Sequence, residues 1–480
     1  MKLISKRTRL SRARNGRLAN LLLALLVLAA CGPAAVAPEP SHFQEPAALP
    51  TPAGPEQPPA TGSEAGGKEG FAEAISSRPR PPDPLATEGD LAQLVAGNKA
   101  FALDLYQAIR DMPGNLFFSP YSISQALAMT FAGARGETEA QMAKTLHFTL
   151  DQEHLHPAFN ALEQSLTGHQ EDPGLGVPAA GEDQGKPAAL QLDIANAIWA
   201  QQDYAFLPSF LDLLAEHYGA GMRPVDFHEA AEQARITIND WVAQETAQRI
   251  QDLLPEGSIG RLTRMVLTNA IYFKASWADK FNAGTADGPF TLLDGSQVTV
   301  PLMSTESLLA SGRGPGYQAV EVPYYGHTAS MVILLPDAGD FERFEGSLTA
   351  ARWNDIVSGL RAQDVALTMP TFEFSSPSIS LKDVLSAMGM PIAFAGEANF
   401  SGMDGTRYLT IDDVIHKAFV AVDEEGTEAA AATAVVMGRT ALQPEPDPVV
   451  VRVNRPFLFL IRDLETGTVL FVGRVLDPAM

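Results

Sequence analysis

Ile415-His416-Lys417-Ala418-Phe419-Val420-Ala421-Val422-Asp423-Glu424-Glu425-Gly426-Thr427-Glu428-Ala429-Ala430-Ala431-Ala432-Thr433 is the stretch on which the fold turns. Lys417 to Val422 reads as a strand, and a second strand pattern resumes at Val449 to Val453. The roughly 25 residues between them are too apolar and too rich in small side chains at their front for a solvated loop. Gly426 supplies a hinge, since a residue without Cβ bends where others cannot. Beyond it a period of two puts Thr427, Ala429, Ala431, Thr433 and Val435 on one face and Glu428 on the other. Gly426 to Met437 contains no proline and one charge, Glu428, so this segment can slip between existing strands. Pro444-Glu445-Pro446-Asp447-Pro448 then stiffens the return, because proline fixes φ and blocks ladder pairing.

Working outward, the chain from Gly89 to the C-terminus reads as one domain, 89–480. Its longest polar interruption, His169 to Pro187, is too short to mark a border. The first half is mainly helical: Leu94, Phe101, Leu103 and Ile109 form a stripe, and Ile123 to Thr130, Phe210 to Tyr218 and Ile236 to Ile250 predict three more helices. The second half is mainly strands, at Val266 to Phe273, Val298 to Met303, Ala319 to Val322, Met331 to Leu335, Val365 to Met369 and Phe457 to Arg462. Helices and strands without strict alternation indicate an α+β fold.

Residues 1–30 are different. Seven basic residues lead into the apolar run Leu21 to Ala30, too short to span a bilayer, which predicts a secretion signal. Leu28-Ala29-Ala30-Cys31-Gly32 resembles the lipobox of bacterial lipoproteins, which makes Cys31, the sole cysteine, the expected site of lipidation and excludes an intramolecular disulfide. Gly32 in place of Asp points to the cell surface or outer membrane, or the periplasm, rather than the inner membrane. Residues 31–88 carry 13 prolines and no hydrophobic period, so they predict a disordered tether. Removing residues 1–30 takes away seven positive charges and no negative ones, so the net charge goes from -23 to -23 - 7 = -30. Such a surface repels nucleic acid and anionic headgroups, leaving the lipid as the expected membrane contact.

The chain shows no GxSxG elbow, HExxH, Walker loop or cysteine pair, so no enzyme, metal or cofactor is expected. Gly312-Arg313-Gly314-Pro315-Gly316 lacks the lysine of a phosphate loop and reads as a turn. The nine histidines have no ligand spacing; His416 alone invites a role.

Four blocks in order then resemble the serpin family, over nearly all of Leu91 to Pro478. They are Asn115-Leu116-Phe117-Phe118-Ser119-Pro120-Tyr121-Ser122-Ile123-Ser124, Ile238-Asn239-Asp240-Trp241-Val242, Leu267-Thr268-Asn269-Ala270-Ile271-Tyr272-Phe273-Lys274-Ala275-Ser276-Trp277, and the opening stretch with Asn454-Arg455-Pro456-Phe457 after it. The resemblance implies a large central mixed β-sheet, two smaller sheets, eight or nine helices and an exposed reactive-centre loop. It implies a monomeric suicide inhibitor of serine proteases. The protease cuts the loop and forms an acyl-enzyme with its own triad, and the hinge inserts as a new strand of roughly 40 Å. The alternative is a non-inhibitory surface binding or chaperone-like member. By resemblance the hinge is Glu424, Glu425, Gly426, Thr427, Glu428, Ala429, Ala430, Ala431, Ala432 and Thr433. Asn115, Ser119, Ser122, Asn269 and His416 match a polar cluster beneath the sheet, the shutter. Trp277 matches the breach, where the loop enters. The scissile bond is Arg439-Thr440, for a trypsin-like target, or Thr440-Ala441, for an elastase- or subtilisin-like one.

Overall fold

The computed structural model describes residues 76–168, 190–282, 286–427 and 447–480. The first helix, Glu88–Ile109, starts where Thr87 and Asp90 cap each other's backbone N–H groups. Pro120–Phe131 starts at Ser119, whose side chain accepts the Ser122 N–H with proline at the first helical position, and every residue of this helix is buried.

Two sheets sandwich that core. The central, seven-stranded sheet runs Met222–Val225, Gln191–Gln201, Met265–Ser276, Asp413–Val422, with Phe372–Ser375 and Ile379–Ser380 beyond the last. Its two middle strands, Met265–Ser276 and Asp413–Val422, are parallel and paired directly from Val266↔Asp413 to Ile271↔Ala418. Gly426–Thr427 lies between their upper ends. The second sheet has nine strands: the expected smaller sheets run together through the 18-residue strand Gln297–Gly314, which pairs Ala286–Thr291, Arg361–Pro370 and Tyr317–Pro323 in turn. Ten α-helices lie among the described residues, two of them, Phe341–Glu345 and Ser401–Asp404, no more than about a turn.

The helix expected at Ile236 to Ile250 is instead Phe227–Glu245. Ala247 and Gln248 take left-handed backbone angles, φ 48 and 66, and turn the chain away. It packs Phe227, Ile238 and Val242 on Val266, Ala270, Tyr272, Ile415 and Phe419 of the outer sheet face. The inner face, with Leu267, Ile271, Phe273, Val414, Ala418 and Val420, joins the large core.

A buried ion pair ties the C-terminal strand Val469–Val475 to the first helix. Arg474 Nη1 and Tyr106 O–H both donate to Glu345 Oε1, at 3.0 and 2.5 Å, and Arg474 Nη2 donates to the carbonyls of Met112 and Gly114. Glu345→Ala would strand a buried guanidinium. Urea unfolding should show a loss of about 3–5 kcal/mol; a loss below about 1 kcal/mol would show that the pair anchors nothing.

Candidate functional site

Three adjacent strands each interrupt their inner apolar face with one polar side chain at the same level. Met265–Ser276 sends Met265, Leu267, Ile271, Phe273 and Ala275 to the large core, and Asn269 occupies the gap in that series. Asp413–Val422 does the same with His416 between Val414 and Ala418, and Gln191–Gln201 with Asn196 between Leu192 and Ile198. The register aligns them, His416↔Asn269↔Asn196, in one row across the sheet.

The row is fully bonded, as a buried polar group requires. The Ser119 backbone N–H donates to His416 Nε2 at 3.2 Å, so the ring proton sits on Nδ1 and is donated to Asn269 Oδ1 at 2.5 Å. Asn269 Nδ2 donates to Ser122 Oγ at 2.6 Å and to Asn196 Oδ1. Ser122 O–H donates to Asn196 Oδ1 at 3.0 Å, and Ser119 O–H to the Leu470 carbonyl at 2.7 Å. His416, Asn269, Ser119 and Ser122 are inaccessible to solvent. Burial lowers the His416 pKa to about 3, keeping the ring neutral.

At the top of the seam Asp423 turns the chain back. Its carboxylate accepts the N–H groups of Glu425 and Gly426 at 2.9 and 3.1 Å; burial raises this carboxyl above its usual range while those two bonds pull it down. Trp277 stacks on Tyr324 with ring centroids 4.6 Å apart, donates Nε1–H to the Asp423 carbonyl at 2.9 Å, and donates its backbone N–H to the Glu425 carbonyl. Lys280 pairs with Glu425, and Phe281 N–H donates to the Glu424 carbonyl. A Cβ at Gly426 would sit 2.2 Å from the Ala275 carbonyl oxygen, so only glycine fits there. Thr427 is buried, and its hydroxyl lies 2.8 Å from that of Tyr324.

Of the residues matched by resemblance, the structure therefore brings together Ser119, Ser122, Asn269 and His416 in one cluster, and Trp277, Glu424, Glu425, Gly426 and Thr427 in another. Asn115 joins neither: its amide donates to the Asp477 carbonyl and accepts from the Leu476 and Asp477 N–H groups, holding the C-terminus. Glu428 to Thr433, Arg439, Thr440, Ala441 and Cys31 lie outside the described residues. Asn196 was missed; its signal is a lone amide in the alternation Leu192, Ile194, Asn196, Ile198, Ala200. Among the described residues no group of three or more His, Cys, Asp or Glu side chains could hold a metal, and no helix is long and apolar enough to cross a membrane.

An α+β domain whose central parallel pair is closed by a polar row, with the next chain segment wedged above it, defines a class. The chain belongs to the serpin family: the family model described as serpin (serine protease inhibitor) matches residues 96–478. It is 36% identical over 407 residues to an uncharacterized serpin-like protein of Thermococcus kodakarensis, covering 85% of this chain and 91% of that one. It is 38% identical over 400 residues to the leukocyte elastase inhibitor of Sus scrofa, covering 81% and 100%. Among solved structures it matches the native state of the thermophilic serpin tengpin, at 28% identity, TM-score 0.72, and 85% and 99% coverage.

His416 sets a pH dependence. Its unfolded pKa is near 6.5 and its folded one about 3, so between those values the unfolded chain binds the extra proton and stability is lost as pH falls. His156, buried against the Tyr218 hydroxyl and also lowered to about 3 by burial, adds in the same direction. Chemical denaturation from pH 7.5 to 5 should show stability constant above about 6.5 and falling below it by about 1–3 kcal/mol per pH unit. A flat profile would mean that both rings already carry the proton in the folded state, and about half the slope would mean that one does.

Proposed function

We propose that this serpin is a suicide inhibitor of serine proteases that traps the acyl-enzyme by inserting its cleaved loop into the seam between Met265–Ser276 and Asp413–Val422. The observation that supports it most is the register of the wedge. Gly426↔Ser276 and Thr427↔Ala275 on one side, and Thr427↔Val422 on the other, are antiparallel to both neighbours. Continued without a slip, that register sets Glu428 opposite Lys274, places Ala429 and Ala431 on the inner face, and brings Thr433 between Asn269 and His416. Thr433 is the polar side chain between Ala429 and Val435 on that face and would meet the polar row. Insertion would replace one parallel pairing with two antiparallel ones, which are more stable per residue.

In this mechanism the protease supplies nucleophile, base and oxyanion hole, and the serpin supplies only a bond to cut and a faster competing step. Arg439-Thr440 or Thr440-Ala441 is the bond; the first suits a trypsin-like pocket, the second an elastase- or subtilisin-like one. The secretion signal, Cys31 and the proline-rich stretch support a lipid anchor at the bacterial surface. Cys31→Ser should then move the protein from washed membranes to the soluble fraction, and its persistence on the membrane would refute the anchor.

Incubation with trypsin, elastase, chymotrypsin and subtilisin should give a covalent complex that survives SDS with at least one of them. Simple clipping by all four would favour the non-inhibitory alternative. Thr427→Arg forces a guanidinium into the site that Thr427 fills beside Tyr324. It should convert the protein from inhibitor to substrate, raising the molar ratio needed for full inhibition more than about tenfold. Full trapping by this variant would show that Thr427 does not enter first.

A further inference from the structure

The polar row does not end at Asn196. Asn196 Nδ2 donates to Gln125 Oε1 at 3.0 Å, and Gln125, on the buried helix, donates its own amide to Glu163 Oε2. Glu163 Oε1 accepts from Arg80 Nη1 at 3.0 Å, with the two side chains 26% and 18% exposed. Arg80 is held by two further bonds, from Nε to Asn160 Oδ1 at 2.7 Å and from Nη2 to the His217 carbonyl at 3.4 Å. Every donor in the chain points the same way, from His416 through Asn269, Asn196 and Gln125 to the Glu163 carboxylate, and Arg80 closes its far end.

That polarity leaves no freedom. The Ser119 N–H fixes the His416 tautomer at one end, the carboxylate can only accept at the other, and each amide between them has one orientation that satisfies both neighbours. Arg80 belongs to the stretch whose composition reads as tether, yet the structure docks it on the domain. Its neighbours Ser76 and Arg78 bond Asp212 and Glu216 on the helix Pro208–Tyr218.

We infer that Arg80 is a positioning residue for the closed sheet: by holding Glu163 it orients Gln125 and Asn196, and through them the Asn269–His416 bond that closes the seam. Removing the guanidinium leaves Glu163 free to turn to solvent and Gln125 without its acceptor, so the row loses the partner that holds its far end. The segment that leads from the N-terminal stretch is thereby coupled to the opening of the sheet. The inference concerns the uncut protein and stands whether or not its loop traps a protease.

Hydrogen exchange on the full chain, without protease, tests it. Arg80→Ala should speed exchange of the amides on Val266 to Ile271 and Asp413 to Ala418 by about tenfold or more, as expected for loss of a charge-assisted bond. It should also shift the 15N resonances of the His416 ring, a change that a loosened surface segment would not produce. Arg78→Ala, which removes the neighbouring ion pairs but touches no member of the chain, should leave both readouts as in the wild type. Arg80→Lys, which keeps the charge beside Glu163, should give back part of the protection. Unchanged exchange and His416 resonances in a folded Arg80→Ala protein, or equal effects from Arg78→Ala, would overturn the assignment.

Discussion

The closed sheet rests on the direct parallel pairing of its two middle strands, which the hydrogen bond from His416 Nδ1 to Asn269 Oδ1 bridges on the inner face. Around it the chain buries polar atoms in a layer that alternation would otherwise fill with Leu, Ile and Val. Such a layer costs stability unless each atom is bonded, and here each member of the row is. An apolar row would close the same seam by packing alone. The polar one closes it only in the arrangement that satisfies every member.

The wedge above the row places the next segment of the chain at the upper end of the seam. Gly426 runs against the backbone of Ala275 and Ser276, Thr427 is inside, and the turn before them is held by Asp423 and by Trp277. Gly426–Thr427 thus lies between the two middle strands above the level at which they pair directly with each other. The residues that follow in sequence are small, unbranched at Cβ for the most part, and free of proline up to Met437. Side chains of that kind enter a packed sheet without displacing its core.

Much of this could be read beforehand from residues with few alternatives. Gly426 followed by a small-residue run, Trp277 after a long apolar strand, and Asn269 and His416 set in apolar alternation all carry a signal at their own positions. What escaped depended on register or on distant partners. Asn196 gains its meaning only when Gln191–Gln201 is aligned on Met265–Ser276. Asn115 sits in a motif like its neighbours, but its amide is spent on the C-terminus. The end of Phe227–Glu245 was misplaced because two ordinary residues, Ala247 and Gln248, take left-handed angles that composition does not announce. Arg80 was hidden by its surroundings, since a proline-rich stretch gives no periodicity even where its charged residues dock.

Thermal unfolding of intact and loop-nicked protein measures directly whether the sheet acts as a spring. Cleavage at Arg439-Thr440 or Thr440-Ala441 should raise the unfolding temperature by tens of degrees, because a full new strand then pairs on both sides. An unfolding temperature unchanged or lowered by the cut would mean that the seam never takes the strand, and the central claim would be wrong.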